Sequence, residues 1–166
     1  MIRRAGFLNS GMKLSLRGEY ALRALVVLGL RHNPQGTVVR IQSISEEQNI
    51  PGKFLAQILN DLRAAGFVES RRGKEGGYRL ARSPEEISLA EVIRMIEGPL
   101  APVSCVSEKY YQRCTCPDEA RCAVRDVMFD VRASIVGVLE KVTVAELCRR
   151  ARVLNDKHAS ATEYVI

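Results

Sequence analysis

Apolar residues recur every three or four positions in several stretches of this chain, a spacing that places them on one face of a helix. The spacing predicts helices over residues 14–32, 51–65 and 124–142. The apolar positions are Ala21, Leu22, Leu25, Val26 and Leu28 in the first helix, Leu55, Ile58, Leu59 and Leu62 in the second, and Val124, Val127, Met128, Val131, Ile135, Val138, Leu139 and Val142 in the third. The third set is typical of a long amphipathic helix with a seam for packing on another helix.

Shorter helices are predicted by capping boxes, in which Ser or Thr is followed three residues later by Glu. Ser43 with Glu46 predicts a helix that ends near Asn49, and Pro51 suits the first position of the next helix. Ser88 with Glu91 and Thr143 with Glu146 predict two further helices. Beyond Asn155 the residues are polar, and we expect a frayed tail there.

Two short strands are predicted over residues 67–70 and 78–81, joined by the basic, glycine-rich turn RRGKEGG. Residues 37–41 are β-branched and predict a minor strand. A proline-bearing stretch without periodicity follows residue 98, and a loop of that length is usually functional or disordered.

These patterns predict a mainly α-helical protein with a small β-hairpin wing: a winged helix-turn-helix plus a long dimerisation helix. The predicted divisions are an N-terminal extension (residues 1–11), the winged helix-turn-helix domain (12–83), a connecting helix (84–98), a cysteine-bearing sensor loop (99–122), the dimerisation helix (123–142), and a C-terminal helix and tail (143–166). The extension is interpreted as an over-long gene start or as a flexible basic arm, with the first favoured.

Composition excludes several classes of protein. Hydrophobic residues make up 46% and charged residues 27%, which excludes a disordered chain. No apolar run is long enough to span a membrane, and the N-terminus lacks the apolar core of a secretory signal, so we expect a cytoplasmic protein without a membrane partner. The net charge is +6, and its distribution favours a polyanionic partner. Residues 1–40 hold seven basic residues and one acid, and residues 71–82 hold five basic residues and one acid.

A short helix, a turn, a second helix and a basic hairpin together predict a winged helix-turn-helix that binds double-stranded DNA. The second helix would lie in the major groove, with Lys53, Phe54 and Gln57 at its exposed start. The wing would reach phosphates or the minor groove through Arg71, Arg72 and Lys74, and Arg79 adds to its charge. The alternative is a winged helix that docks on protein, with the hairpin as a solvated loop.

Three stretches carry a family resemblance: MKLSLRGEYALRAL, RRGKEGGYRLAR and ISLAEVIRMIEGPL. With the helix-turn-helix between them, the chain from about Met12 to Arg152 resembles the Rrf-type winged-helix transcriptional regulators. That family includes an iron–sulfur cluster regulator, a nitric-oxide-sensing repressor and a cysteine-metabolism repressor. The resemblance implies that Arg72 enters the minor groove and that Gln57 reads bases. Ala56 stands where many relatives carry Glu, which leaves the operator sequence open.

Four of the five cysteines fall within eighteen residues, with the spacing Cys-x8-Cys-x-Cys-x5-Cys. In a cytosolic chain this favours metal or redox chemistry over structural disulfides. Thiolates suit iron–sulfur clusters or zinc, but zinc sites usually bring close C-x(2–4)-C pairs, which this sequence lacks. An iron–sulfur cluster is therefore favoured, with 2Fe-2S ahead of 4Fe-4S. The alternative is a metal-free loop or a redox disulfide.

The ligand set follows from the resemblance. Cluster-binding relatives use three cysteines on this loop, the last two five residues apart, which implies Cys105, Cys116 and Cys122. The first gap is longer than usual here. The histidine that some relatives use corresponds to Arg125, which cannot ligate, so the fourth ligand is either Cys114 or Glu19 of the partner subunit. Cys148 stands apart and is interpreted as a buried apolar thiol.

Together these features predict a homodimeric transcriptional regulator, and more specifically a repressor, whose DNA affinity is set by an iron–sulfur cluster. The cluster would sense redox state, nitric oxide, or the supply of iron or clusters. The alternative is a cluster-free repressor of the same fold, controlled by thiol oxidation, zinc or a protein partner. Because the sequence shows no nucleophile–base pair and no phosphate-binding loop, the chain is not expected to be an enzyme.

Overall fold

A computed structural model of the protein describes residues 14–33, 35–73 and 75–162. The helices are α1 (Leu16–Leu30), α2 (Ile41–Gln48), α3 (Gly52–Ala64), α4 (Leu89–Glu97), α5 (Ala123–Lys141) and α6 (Val144–Thr162), and the strands are β1 (Val68–Arg71) and β2 (Gly77–Leu80). Single 3-10 turns lie at Pro84–Glu86 and Ser104–Val106. The predicted fold class is confirmed: the protein is mainly α-helical with a two-stranded hairpin. Lys74 and the predicted extension over residues 1–11 lie outside the described residues.

Helix α1 is the centre of the main core. It packs against α2, α3, α4, α6 and β2, and buries Leu25 and Leu28 among the apolar faces of α2 and α3. The apolar face predicted for α3 is confirmed, since Leu55, Ile58, Leu59 and Leu62 are all buried. Burying a side chain of this size contributes about 1.5–3 kcal/mol. The DNA-binding half is therefore a tightly packed unit.

The hairpin pairs β1 with β2 in antiparallel register, from Val68 opposite Leu80 to Arg71 opposite Gly77. The strand predicted over residues 37–41 is reduced to a single bridge, in which Val39 and Tyr78 exchange backbone hydrogen bonds of 2.7 and 2.8 Å. It cannot continue because helix α2 begins at Ile41. Gly77 permits this close approach, since a Cβ there would collide with the carbonyl of Val39.

The capping box predicted at Ser43 and Glu46 is wrong. Helix α2 begins at Ile41, so Ser43 lies within its first turn, and Arg40 is the N-cap residue. Because residues 41 and 42 are already helical, Ser43 does not stand at the N-terminal position that a capping box requires. Pro51 is the N-cap of α3 rather than its first helical residue, a shift of one position.

The other two capping boxes differ in completeness. Ser88 and Glu91 form both hydrogen bonds at the start of α4, which confirms that box. At α6, Thr143 accepts from the N–H of Glu146 at 3.3 Å. The Glu146 carboxylate instead binds Arg149 and Arg150, which lower its pKa to about 2. Helix α6 continues to Thr162, so the prediction of a frayed tail from Asn155 is wrong.

Helix α5 covers the second, smaller core. One of its faces packs through Val136 and Leu139 on the buried residues of α4, and Met128 packs on a third cluster that includes Cys105. No residue of α5, all of which the structure describes, is fully buried. Apolar side chains remain exposed along another face: Val124, Val127, Val131 and Val138. No helix in the described part of the chain is long and apolar enough to cross a membrane.

Candidate DNA-binding surface and metal centre

Helix α3 turns two of its three predicted base-reading residues toward solvent. Lys53 and Gln57 are exposed, because the buried face of the helix lies on its other side. Phe54 is half-buried, and its ring meets the ring of Tyr20 edge-on at 5.8 Å between centroids. This contact gives Phe54 a packing role between α1 and α3. Contacts of these three residues with bases stay a prediction.

The arginines of the hairpin that are predicted to contact DNA differ in their exposure and in their contacts within the protein. Arg71 and Arg72 are exposed at the turn. Arg79 is tied into the hairpin, because its guanidinium lies 2.6 Å from a carboxylate oxygen of Glu69 and 3.4 Å from the carbonyl oxygen of Gly36. Arg79 thus stabilises the wing, and its contact with DNA stays a prediction.

A basic groove of about 570 Å³ runs between the hairpin and the start of α2. Arg40, Arg63, Arg71 and Arg72 line it, together with Gln42 at the N-terminal end of α2. Basic side chains and a helix N-terminus suit a phosphate. Sequence reasoning missed Arg40 and Arg63, because their proximity to the wing depends on how α2 and α3 pack.

The cysteine loop (residues 99–122) brings the thiols of four cysteines that are spread along it into one group. Cys105 is buried in the turn Ser104–Val106, while Cys122 is the N-cap of α5 and its Sγ accepts from the N–H of Arg125 at 3.4 Å. The Sγ atoms of Cys116 and Cys122 lie 3.5 Å apart. The Sγ atom of Cys114 lies within 4.8 Å of Sγ of Cys105, and Cys116 is the neighbour that most affects the pKa of Cys114.

A carboxylate that sequence reasoning missed completes this group. One carboxylate oxygen of Glu119 lies within 4.8 Å of the Sγ atoms of both Cys105 and Cys114. The two Sγ atoms are also within 4.8 Å of each other. Its Oε2 accepts from the hydroxyl of Tyr111 at 2.6 Å. Its Oε1 is buried and has no hydrogen-bond partner among the described residues. The sequence feature that could have identified Glu119 is its position between two candidate ligands, Cys116 and Cys122.

Arg125 closes the group on its other side. Its Nε donates to the carbonyl oxygen of Cys105 at 3.2 Å and lies 3.4 Å from Oε1 of Glu119. Its guanidinium also stacks over the ring of Phe129 at 4.7 Å. These contacts tie the backbone at Cys105 to the carboxylate of Glu119.

The thiols differ in how readily they ionise. Burial raises the pKa of Cys105, and the neighbouring Cys114 adds to the effect. A hydrogen bond from Cys116 lowers the pKa of Cys114. Hydrogen bonds with Cys114 and Cys122 raise the pKa of Cys116 to about 12. Any metal that binds here must displace these protons, so its affinity depends on pH.

Glu19 and Cys148 lie apart from this group. Glu19 is about half exposed on the first turn of α1 and pairs with Arg23 at 3.3 Å. Its contribution to a partner subunit's site stays a prediction. Cys148 is buried under α1, and its Sγ lies 3.6 Å from the carbonyl oxygen of Val26, which confirms the interpretation as a buried thiol.

Comparison with known proteins gives a consistent result. A family model for Rrf2, described as an iron-dependent transcriptional regulator, matches residues 14–150. The chain is 40% identical over 133 residues to an rrf2-like HTH-type transcriptional regulator of Rhodobacter capsulatus, covering 78% of this chain and 87% of that protein. It is 31% identical over 136 residues to the regulator CymR of Bacillus subtilis, covering 82% of this chain and 89% of CymR.

Solved structures of regulators share the fold. The structure of B. subtilis CymR, described as a global cysteine regulator, has a TM-score of 0.70 at 29% identity and covers 84% of this chain and 98% of CymR. The T. potens regulator IscR has a TM-score of 0.64 at 30% identity, covering 85% and 89%. An oxidized form of Staphylococcus aureus CymR has a TM-score of 0.64 at 30% identity, covering 82% and 96%.

These relatives are transcriptional regulators and not enzymes, as the sequence predicts. The winged helix with its basic hairpin gives this chain the corresponding DNA-binding architecture. The chain belongs to the Rrf2 family of DNA-binding, winged helix-turn-helix transcriptional regulators.

Proposed function

We propose that the chain is a homodimeric repressor whose affinity for its operator is set by an iron–sulfur cluster on the cysteine loop. The cluster responds to redox state, nitric oxide, or the supply of iron and clusters. One observation carries this proposal: the fold gathers Cys105, Cys114, Cys116 and Cys122 into one group at the start of α5.

The donor set fits such a cluster. Thiolates are the usual ligands of iron–sulfur centres, and the carboxylate of Glu119 lies beside two of these thiols. The proposed ligands are Cys105, Cys116 and Cys122, with Cys114 or Glu19 of the partner subunit as the fourth. The 2Fe-2S type is proposed ahead of 4Fe-4S.

The loop is well connected to the rest of the protein. It follows α4 directly, and its last cysteine, Cys122, caps α5. Cys105 packs with Met128 of α5. When bound, the cluster supplies a centre that is sensitive to oxidants and nitric oxide. The position of the loop relative to α4 and α5 then biases how the DNA-binding half sits on the dimer helix.

Dimerisation through α5 follows from its exposed apolar stripe. Val124 and Val138 are 68% and 61% exposed, and they lie on one face with Val127 and Val131. A second copy of the same stripe would cover these residues. Pairing two chains lets both α3 helices enter the major groove about one turn of DNA apart.

The DNA contacts that we propose are those of the exposed recognition helix and wing. Lys53, Phe54 and Gln57 would meet base edges, and Arg71, Arg72, Lys74 and Arg79 would meet phosphates or the minor groove. The exposure of Lys53, Gln57, Arg71 and Arg72 supports this assignment.

The test is purification without oxygen, followed by iron and sulfide analysis and by visible and paramagnetic-resonance spectra. Operator binding is then measured before and after the cluster is removed by a chelator. We expect iron and sulfide in equal amounts and a change of DNA affinity upon removal. Protein without iron and sulfide, or with the same DNA affinity in both forms, contradicts the proposal.

A cluster-free thiol regulator is the second candidate, and one distance favours it. The Sγ atoms of Cys116 and Cys122 are 3.5 Å apart, so a small movement would allow a disulfide. Treatment of the iron-free, reduced protein with an oxidant, followed by peptide mapping and DNA binding, tests this candidate. A Cys116–Cys122 disulfide that changes operator affinity supports it.

A further inference from the structure

The carboxylate of Glu119 has two oxygens in very different surroundings. Oε2 accepts a hydrogen bond of 2.6 Å from the hydroxyl of Tyr111. Oε1 is buried without a hydrogen-bond partner among the described residues, and the nearest cation, Nε of Arg125, is 3.4 Å away. Beside this ion pair, Oε1 keeps its hydrogen-bonding lone pairs free for a further ligand.

Two thiols lie beside the carboxylate of Glu119. A ligand oxygen of Glu119 and the Sγ atoms of Cys105 and Cys114 are all within 4.8 Å of one another. Three donors at this separation can surround one metal ion, since metal–sulfur bonds are about 2.3 Å and metal–oxygen bonds about 2.0–2.2 Å for a zinc-sized ion. Such an ion would bind both thiols and one oxygen of the carboxylate.

We propose that Glu119 is a metal-ligating residue in the same centre as Cys105 and Cys114, and that Tyr111 positions its carboxylate. This proposal rests on the proposed function, because it names a ligand of the sensor centre. Glu119 fills the fourth position beside Cys105, Cys116 and Cys122, so neither Glu19 of a partner subunit nor Cys114 is required as a ligand. Cys114 stays in the group as a neighbouring thiol. A soft metal ion releases a carboxylate ligand more easily than a thiolate ligand. A carboxylate ligand therefore suits a metal centre whose ligands must change when it senses a signal.

The structure also contains a simpler role for Glu119, as an ion-pair partner of Arg125. The two roles differ in what they affect. An ion-pair role changes the stability of the loop but leaves the metal's spectrum alone. A ligand role changes the spectrum, the metal affinity and the rate of metal loss.

The first experiment compares anaerobic preparations of the wild type with E119Q, E119C and E108Q. Glu119→Gln keeps the shape of the side chain and removes the charge. Glu119→Cys offers a thiolate in its place. Glu108→Gln is the matched control, because Glu108 is an exposed glutamate on the same loop that pairs with Arg132.

We expect E119Q to lose iron to a chelator at least about tenfold faster, with a shifted visible spectrum. E119C should retain iron, with a spectrum shifted toward that of an all-thiolate centre, and E108Q should match the wild type. Tyr111→Phe should keep the ligand but speed iron loss to a smaller extent. E119Q with the spectrum and iron release of the wild type overturns the proposal.

The second experiment uses cobalt(II) alone on the reduced, metal-free protein, so that it does not depend on a cluster. We expect thiolate-to-cobalt absorption in the wild type and at least about tenfold weaker binding in E119Q. Equal cobalt affinity in both proteins overturns the proposal. Helical circular dichroism of each variant reports whether α5 is intact, and E119C provides a second variant if E119Q does not fold.

The outcomes separate this proposal from the proposed function. A cluster in the wild type that E119Q leaves unchanged rejects the ligand role and keeps the cluster. Wild-type protein without iron and sulfide, but with cobalt binding that depends on Glu119, rejects the cluster and keeps the ligand role.

Discussion

Ser15 and Glu97 join the start of α1 to the end of α4. Both the backbone N–H and the hydroxyl of Ser15 donate to Oε1 of Glu97, at 3.0 and 2.7 Å. The Ser15 oxygen in turn accepts from the N–H of Gly18 and caps α1. The residue that ends α4, just before the cysteine loop, thereby anchors the helix at the centre of the winged-helix half.

Glu97→Ala should lower the free energy of unfolding by about 1–2 kcal/mol, because the N-cap of α1 loses its acceptor. Urea unfolding at neutral pH measures the change. Glu140→Ala is the control, since Glu140 is an exposed glutamate whose ion pair with Arg94 contributes little. Equal effects of the two substitutions would contradict the anchoring role.

Arg72→Ala should weaken operator binding by about 1–3 kcal/mol if the wing arginine reaches the groove. Thermal stability should hardly change, because Arg72 is exposed. Binding titrations at physiological salt measure the effect. Arg152→Ala removes the same charge from an exposed position on α6 and should bind like the wild type at equal salt. Unchanged binding by the Arg72 variant would reject the wing assignment.

Single substitutions of the proposed ligands should fall into two groups, those that abolish iron binding and those that leave the iron content unchanged. Serine at Cys105, Cys116 or Cys122 should abolish iron retention, because the loop cannot hold the centre with a ligand missing. Of Cys114 and Glu19, one should matter and the other should not. Iron and sulfide per subunit are measured in anaerobic preparations. Full iron content in the Cys122 variant would reject the proposed ligand set.

Cys148→Ser is the matched control for that series. Cys148 is buried against α1, away from the thiol group, so the substitution should leave the iron content unchanged. Burying a hydroxyl there should cost about 1–3 kcal/mol of stability at most.

Val131→Glu should convert a dimer into monomers and weaken operator binding. A charge in the exposed apolar stripe of α5 would be buried without a partner when two stripes meet. Ala133→Glu adds the same charge two residues further on, about 200° around the helix, and should leave the dimer intact. Light scattering coupled to size-exclusion chromatography measures the mass. A Val131 variant that remains dimeric would move the interface elsewhere.

Alkylation of the reduced, metal-free protein should follow the order of the thiol pKa values. The thiolate is the nucleophile, so Cys114, whose pKa is lowered, should react first at pH 8. Cys116, with a pKa of about 12, stays protonated at that pH and should react more slowly than Cys114. Raising the pH toward 10 should speed Cys116 more than Cys114. Peptide mass spectrometry after timed iodoacetamide treatment measures both rates.

Local sequence determined most of the helices and the wing. The apolar faces of α1 and α3 appear directly in their spacing, and the turn between β1 and β2 is marked by its glycines. The capping box at Ser88 was equally clear. These features depend on residues within a few positions of one another, so their pattern is visible without the rest of the fold.

Tertiary structure decided where α2 begins, which residues line the basic groove, and that the carboxylate of Glu119 lies beside the thiols. Helix α2 begins at Ile41, two residues before the capping box in the sequence, and Arg63 lines one groove with Arg72 because α3 packs on the hairpin. Glu119 meets Cys105 and Cys114 because Tyr111 and Arg125 hold its carboxylate in a loop without periodicity. Which donors meet in such a loop depends on where α4 and α5 fix its ends, and spacing along the chain does not contain that geometry.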